Sequence, residues 1–593
     1  MKRSLVSLFL PVLLCLLNTP QASVPRRSAL VITHVTVIDA TGTPAQTDMA
    51  LVIAGGRISE ISKSSDLHAP PAAKLIDATG KFLIPGLWDM HVHWYEKDYL
   101  PLFIANGVTG VRIMFGTSSH HEWRKEIEAG TLLGPRLAIA SRIVDGPKPF
   151  WPDSIPVADE AQARQTVDSI KQNDAGDFVK VLSFLPREAY FAIADEAKKQ
   201  GIPFAGHIPL SVTVEEASNA GQKSVEHLTS ILPACSTRSA EFYQAARADL
   251  ADDIASQPKF WGPHVDAIRQ SIIDGYSPEK AAALFTVFKN NGTWQCPTLT
   301  LLRSLFQYQD PTLLNDPRMK YMPHSIRDSW NPKYGFGETP EQIGFAKQEF
   351  QKDLQIVGLM QRAGVGLLAG TDTLNAFIFA GFSLHDELGL MVQAGLTPMQ
   401  ALQTATLNPA RFLGTEKDLG TIEKGKVADL VLLDANPLDD IANTKRIASV
   451  IYGGELFSRT QLDKMLSDIE VEAARLPISG VLMKTIEEKG VTAAVQQYHD
   501  LKSTQPATYD YGAHELIGLG YQLLGAKRVT DAIEVFKLSV EAAPDYFNTY
   551  DSLAEAYMDH GEKELAIQNY QKSLELNPEN TNAIEKLKKL NPK

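Results

Sequence analysis

The sequence predicts an α/β architecture: a (β/α)8 TIM barrel inserted in a small composite β-sandwich and followed by an all-α tail. Three observations point there. Between residues 87 and 412, strand-like apolar runs alternate with amphipathic helical stretches eight times. Short patches of period-two patterning with paired glycines flank that region on both sides, each too small to bury a face alone. Beyond about residue 463 only helical texture remains, and it repeats itself at a fixed spacing. A chain of 593 residues is too long for one core, and 44% hydrophobic residues suit several packed domains. A net charge of −13 argues against nucleic acid or an anionic membrane surface as partner.

In chain order, Met1-Lys2-Arg3 is a basic n-region and Leu5 to Leu17 an apolar h-region. Asn18 to Ser23 supplies the polar and small residues of a cleavage site, so residues 1–23 read as a signal peptide and the protein as periplasmic or secreted. An uncleaved anchor helix is the alternative. Cys15 follows Leu14, where a lipoprotein signal wants a small residue, so no lipid anchor is expected. No interior apolar run is long enough to span a bilayer, and no transmembrane domain is expected in the mature chain. Cys235 and Cys296 then remain; their spacing does not say whether they pair.

Residues 24–86 and 413–462 make up the composite β-sandwich. Ala29 to Asp39 alternates apolar and polar residues, Ala50 to Ala54 meets Gly55-Gly56, and Arg57 to Ile61 and Lys81 to Pro85 follow. The same texture returns at Thr421 to Asp434 and Ser449 to Gly454.

Residues 87–412 form the barrel. Its expected strands are Leu87–His93, Val108–Met114, Arg136–Val144, Phe178–Leu182, Pro203–Ile208, Ser224–Leu228, Thr293–Leu301 and Gly366–Asp372. Helices are expected between them, among them Arg187–Gln200 and Pro398–Leu413. An active site in such a barrel lies at the C-terminal strand ends.

Residues 463–593 form the helical tail. Pro544 and Pro578, Ala532 and Ala566, and Phe536 and Tyr570 stand in equivalent places, 34 residues apart. With Tyr521 and Tyr557 they give the tetratricopeptide (TPR) pattern of aromatic, Ala, aromatic and Pro. Thr492–Gln505 reads as half of an earlier unit, so the tail is a short add-on with a possible protein partner.

The chemistry gathers at one rim. His91 and His93, one residue apart on a strand, point the same way and make half of a metal site. Lys180 interrupts the apolar run Phe178–Leu182, His207 and His227 end the fifth and sixth strands, and Asp372 ends the eighth. A lysine among metal ligands requires chemistry, because an ammonium has no lone pair. Carboxylated by CO2, Lys180 becomes an anionic carbamate with two oxygens able to bridge two ions.

His91-Val-His93, Lys180, His207, His227 and Asp372 resemble the binuclear pattern of the amidohydrolase superfamily. The resemblance is to its imidazolonepropionase-like and Xaa-Pro-dipeptidase-like branch and runs over roughly residues 29–460. It includes Ile84-Pro-Gly-Leu-Trp-Asp-Met-His91, Gly370-Thr-Asp372, Ala394-Gly-Leu-Thr-Pro398, Ala405-Thr-Leu-Asn-Pro-Ala-Arg411 and Gly425-Lys-Val-Ala-Asp-Leu430. It implies two divalent metal ions, Zn2+ by ligand chemistry, with manganese, iron or cobalt able to occupy similar ligands. His91, His93 and Asp372 would hold the first, His207 and His227 the second, and the Lys180 carbamate would bridge them. Two ions lower the pKa of water and polarise a scissile carbonyl. Asp372 would be the catalytic residue, taking the proton of the attacking water and passing it to the leaving amine. One departure stands out: Ala205-Gly-His207-Ile-Pro209 lacks the tyrosine that dipeptidase-like relatives carry just after this histidine.

Other residues have weaker claims. Arg112 and Arg142 could bind a substrate carboxylate bidentately, or serve as barrel salt bridges. His385 reads as structural within a helix, and His120-His121 as solvated. The connection Leu302–Thr339, with Tyr308, Tyr321, Trp330, Tyr334 and Phe336, is long enough to border the site or pack on the barrel wall. The expected function is metal-dependent hydrolysis of a C–N bond in a dipeptide, an N-acyl amino acid or a cyclic amide. The alternatives are a lactonase or esterase on the same site, and a non-catalytic periplasmic TPR interaction protein.

Overall fold

The computed structural model describes residues 29–151, 153–173, 175–251, 262–308, 310, 312–330, 339–578 and 580–590. The expected signal peptide, with Cys15, lies outside the described residues, as do Tyr334 and Phe336 of the long connection.

The flanks of the barrel do combine. Phe82–Pro85 from the N-terminal side pairs antiparallel with Leu430–Leu433 from the C-terminal side, joining them in one eight-stranded mixed sheet. Its order runs Glu455–Ser458, Ile447–Tyr452, Leu430–Leu433, Phe82–Pro85, Leu30–Val37, Gln46–Ala54, Arg57–Lys63, with Lys74–Asp77 also on Leu30–Val37. The sequence led us to expect a sandwich; the structure has a single sheet that curls back on itself. Residues 425–428 make the return, since Ile58 donates to the Lys426 carbonyl at 2.9 Å and Ala428 to that of Gly56 at 2.9 Å. Alternation then serves two cores. Leu430 and Leu432 face the sheet's own cluster, whereas Val431 and Leu433 face the large barrel cluster.

The barrel has seven regular parallel strands: Leu87–Val92, Val108–Ile113, Arg136–Asp145, Phe178–Val181, Phe204–Gly206, Ser224–Glu226 and Trp294–Cys296. The eighth is a correction. Residues 366–373 form no continuous strand, yet they close the ring by backbone bonds to both neighbours. Leu368 N donates to Gln295 O (2.9 Å), Met90 N to Ala369 O (2.9 Å) and Asp372 N to His91 O (2.8 Å). The expected seventh strand also ends earlier, because a helix takes over at Leu299–Gln307. The Arg187–Gln200 helix appears as expected and stops at Gly201 in the left-handed region. The expected Pro398–Leu413 helix is broken into Pro398–Thr404 and Leu407–Leu413.

The helical tail starts differently from the expected boundary at 463. Helix Arg459–Ala473 buries Leu462, Ile469 and Ala473 in the barrel cluster, and the separate helical core begins at Ile478. Thr492–Gln505 is not an isolated half-unit: Val491–Thr504 packs with Ile478–Lys489. The two repeats follow as Ala513–Gly525 with Val529–Ala542 and Phe547–His560 with Lys563–Leu576, closed by Thr581–Leu590. Ala532 and Ala566 are fully buried in the helical core. Among the described residues no helix is long and apolar enough to cross a membrane.

Candidate metal centre

The first strand delivers its two histidines together. Nε2 of His91 and Nε2 of His93 lie 3.3 Å apart, and each is 3.3 Å from Oδ1 of Asp372. His227 joins from the sixth strand, its Nδ1 3.9 Å from Oδ2 of Asp372. The four imidazoles form a continuous run. Ring centroids are 5.2 Å apart for His93 and His91, 4.5 Å for His91 and His227, and 5.0 Å for His227 and His207. Lys180 is buried beside them, and its charge bears on all four rings. All six expected ligands therefore meet at the C-terminal end of the barrel.

Backbone shape allows this convergence. Gly206, at φ +140, brings the fifth strand so near the fourth that a Cβ would lie 2.1 Å from the Val181 carbonyl oxygen. At Gly370 a Cβ would lie 2.5 Å from Cys296 Sγ and 2.8 Å from His91 Cβ, so glycine lets the closing segment reach His91. Asp372 (φ 61), His227 (φ 59), Leu228 (φ 53) and Thr298 (φ 48) sit in the left-handed region, a strain that concentrates at functional sites.

The electrostatics suit cations. Burial holds His91, His207 and His227 well below their ordinary pKa, and takes His93 down to about 3, so all four rings are neutral with a lone pair to offer. Burial raises the Asp372 carboxyl to about 7, and Oδ1, facing two histidines, has no hydrogen-bond partner. A buried acceptor left without a donor among converging lone pairs is what a cation would satisfy, and the donor set of imidazoles and a carboxylate fits a divalent metal. Burial also lowers Lys180 to about 8, and among the described residues no carboxylate forms an ion pair with it.

Three buried carboxylates support this cluster, and the sequence analysis assigned none of them a role. Asp89 accepts from Thr371 N (2.9 Å) and Thr371 Oγ1 (2.6 Å), fixing the segment that carries Asp372. Glu387 accepts from the backbone of Leu299 (2.9 Å) and Thr300 (2.7 Å), which seats Thr298, whose Oγ1 is 2.7 Å from His227 Nδ1. Glu226 bonds His91 Nδ1 at 2.9 Å. For Asp89 and Glu226 the available signal was an acidic residue one or two places before a ligand histidine; Glu387 offered none.

Arg112 is buried inside the barrel, donating to Glu226 (2.8 and 3.0 Å), Ser224 (3.0 Å) and the Met90 carbonyl (2.6 Å). Of the two roles weighed for it, the structure favours the salt bridge over substrate binding. Arg142 is half-buried and donates through Nε to the Asp153 carbonyl at 2.7 Å. His120 corrects the expectation of a solvated pair: it is fully buried and bonds the Trp94 carbonyl at 2.7 Å. His385 is structural, with Nε2 3.0 Å from the Asn106 carbonyl and Nδ1 3.0 Å from Thr444 Oγ1. The long connection packs on the segment after Asp372, where Trp330 donates to the Leu374 carbonyl at 3.1 Å and Tyr321 stacks on Phe382. Cys235 and Cys296 are both free.

Comparison with known proteins gives a family for part of the chain and a fold for most of it. Residues 312–457 match the amidohydrolase family, a stretch that contains Asp372, and residues 547–580 match the tetratricopeptide repeat. The chain is similar to a 5-methylthioadenosine/S-adenosylhomocysteine deaminase of Moorella thermoacetica, 39% identical over 82 residues, 13% of this chain and 19% of that protein. It is also similar to an imidazolonepropionase of Shouchella clausii, 38% identical over 77 residues, 11% of this chain and 17% of that protein. A solved Xaa-Pro dipeptidase with bound methionine in the active site shares the fold. It has a TM-score of 0.51 and 21% identity over 73% of this chain and 100% of that one. The chain spans less than a third of the length of the curated relatives it matches.

Proposed function

We propose that this chain, with its amidohydrolase-family segment and barrel rim of four histidines, is an exported binuclear metal-dependent hydrolase of C–N bonds. Its substrate class is an amide: a dipeptide, an N-acyl amino acid or a cyclic amide. The observation that carries this reading is the meeting of His91, His93 and Asp372 within 3.3 Å, with one carboxylate oxygen left unbonded. His91, His93 and Asp372 would hold one divalent ion and His207 and His227 the other, Zn2+ by donor type, with Lys180 as a carbamate between them. Ions bound there would acidify water and polarise the scissile carbonyl.

The chain's own residues do the rest. Ser183 and Thr298 hold the His207 and His227 rings through Nδ1, at 2.9 and 2.7 Å. The Lys180 amine, lowered to about 8 by burial, can exist neutral near physiological pH, the form that adds to CO2 with loss of one proton. Asp372 stands where its free oxygen could take the proton of the attacking water and pass it to the departing amine. Residues 1–23 support export, and the repeats support a protein partner beside the small-molecule substrate.

A second reading, hydrolytic deamination, is favoured by the similarity to the Moorella enzyme. Zinc-reconstituted protein assayed with dipeptides, N-acyl amino acids, cyclic amides and adenosine derivatives separates the two. Amide cleavage supports the first reading. Ammonia release from the adenosine derivatives alone replaces it with the second, and turnover of neither class rejects both.

A further inference from the structure

Behind the ligand His91 lies a buried charged cluster in which Glu226 joins His91 to Arg112 and Ser224. All four are fully buried. Glu226 Oε2 meets His91 Nδ1 at 2.9 Å and Arg112 Nη2 at 2.8 Å, while Oε1 accepts from Ser224 Oγ at 2.5 Å and Nη2 at 3.0 Å. Arg112 in turn donates Nε to the carbonyl of Met90, the residue before His91, at 2.6 Å. Its guanidinium lies over Phe178 and Phe412, 5.6 and 5.0 Å from the ring centroids, so it cannot swing away.

We propose that Glu226 and Arg112 form a positioning pair that sets the metal affinity of the His91 site, a claim that deepens the metal-dependent reading and rests on it. The carboxylate fixes the proton on Nδ1 of His91 and turns its Nε2 lone pair toward His93 and Asp372. A carboxylate accepting from Nδ1–H makes Nε2 a stronger lone-pair donor, and such outer partners are worth roughly 10–100-fold in metal affinity. Arg112 occupies both oxygens of Glu226, so Glu226 does not turn inward and become a ligand. The pair serves one ion only, because His207 and His227 take their orientation from Ser183 and Thr298 instead.

The test is competitive titration of the full chain with Zn2+ against a chromophoric chelator in bicarbonate buffer. Glu226→Gln should weaken one of two sites roughly 10–100-fold and leave the other within a few-fold of wild type. Because that variant leaves Arg112 buried without a counter-charge, which destabilises the fold, Arg112→Met/Glu226→Leu removes both charges; apolar replacement of a buried pair is usually tolerated. If the double variant melts like wild type and still loses affinity at one site, the pair positions the ligand. If it binds both ions as tightly as wild type, the pair is merely structural and the inference falls. Wild-type protein that binds no zinc would overturn the metal-dependent reading itself, a different outcome.

Discussion

At the residue scale, the proposed function gives Asp372 and Lys180 distinct tasks that substitution can separate. Asp372→Asn keeps an oxygen toward His91 and His93 but cannot accept a proton. Turnover should fall by roughly 10²–10⁴, with metal content largely kept, as kcat and elemental analysis on the same sample would show. Unchanged turnover would place the proton elsewhere. Lys180→Ala should lose metal and activity together and regain part of both in short carboxylates, whose oxygens would stand in for those of the proposed carbamate. These six residues were legible in the sequence because each ends a strand or interrupts an apolar run. Their supporters were less so. Glu226 is adjacent to His227 in sequence but bonds His91, 135 residues away, a pairing that only the closed ring creates. Arg112 looked equally suited to a substrate or a salt bridge, and its full burial decides for the latter.

At the scale of elements, period-two and 3.6-residue patterning located seven of the eight barrel strands to within a few residues at their ends. The eighth escaped because residues 366–373 close the ring by alternating backbone bonds to two neighbours rather than by a regular ladder. The curled sheet escaped because sequence cannot tell two facing sheets from one that folds over. His385 shows what holds such elements together, linking helix Phe382–Gln393 to Asn106 on one side and Thr444 on the other. Burial lowers it to about 4 from an ordinary 6.5. Between those values the unfolded chain binds a proton that the folded chain does not, so stability falls as pH falls from 6.5 to 4. The full shift is worth about 3 kcal/mol. His385→Leu should cost about 1–3 kcal/mol at pH 7, where two buried partners lose their bonds. It should also abolish this acid-dependent loss, so the gap to wild type in thermal melts narrows toward pH 4. A gap independent of pH would contradict a neutral buried imidazole.

At the scale of the whole molecule, one composite sheet binds the barrel's two flanks and one helix ties the tail to it. The change of texture near 463 marked a helical region, but texture does not say which core a helix joins. Leu462, Ile469 and Ala473 place Arg459–Ala473 with the barrel. A chain ending at Ser458 should therefore expose apolar surface and aggregate. One ending at Arg475 should fold, bind metal and turn over substrate like the full chain. Aggregation of both would make the repeats part of the catalytic fold. The central claim is that four histidines, Lys180 and Asp372 hold a two-ion centre, and metal stoichiometry tests it most directly. Elemental analysis of the full chain, purified from zinc- and bicarbonate-supplemented growth, should give about two ions per chain, with Lys180→Ala well below that. One ion or fewer in a fully active wild-type protein, or an undiminished count in Lys180→Ala, would contradict it.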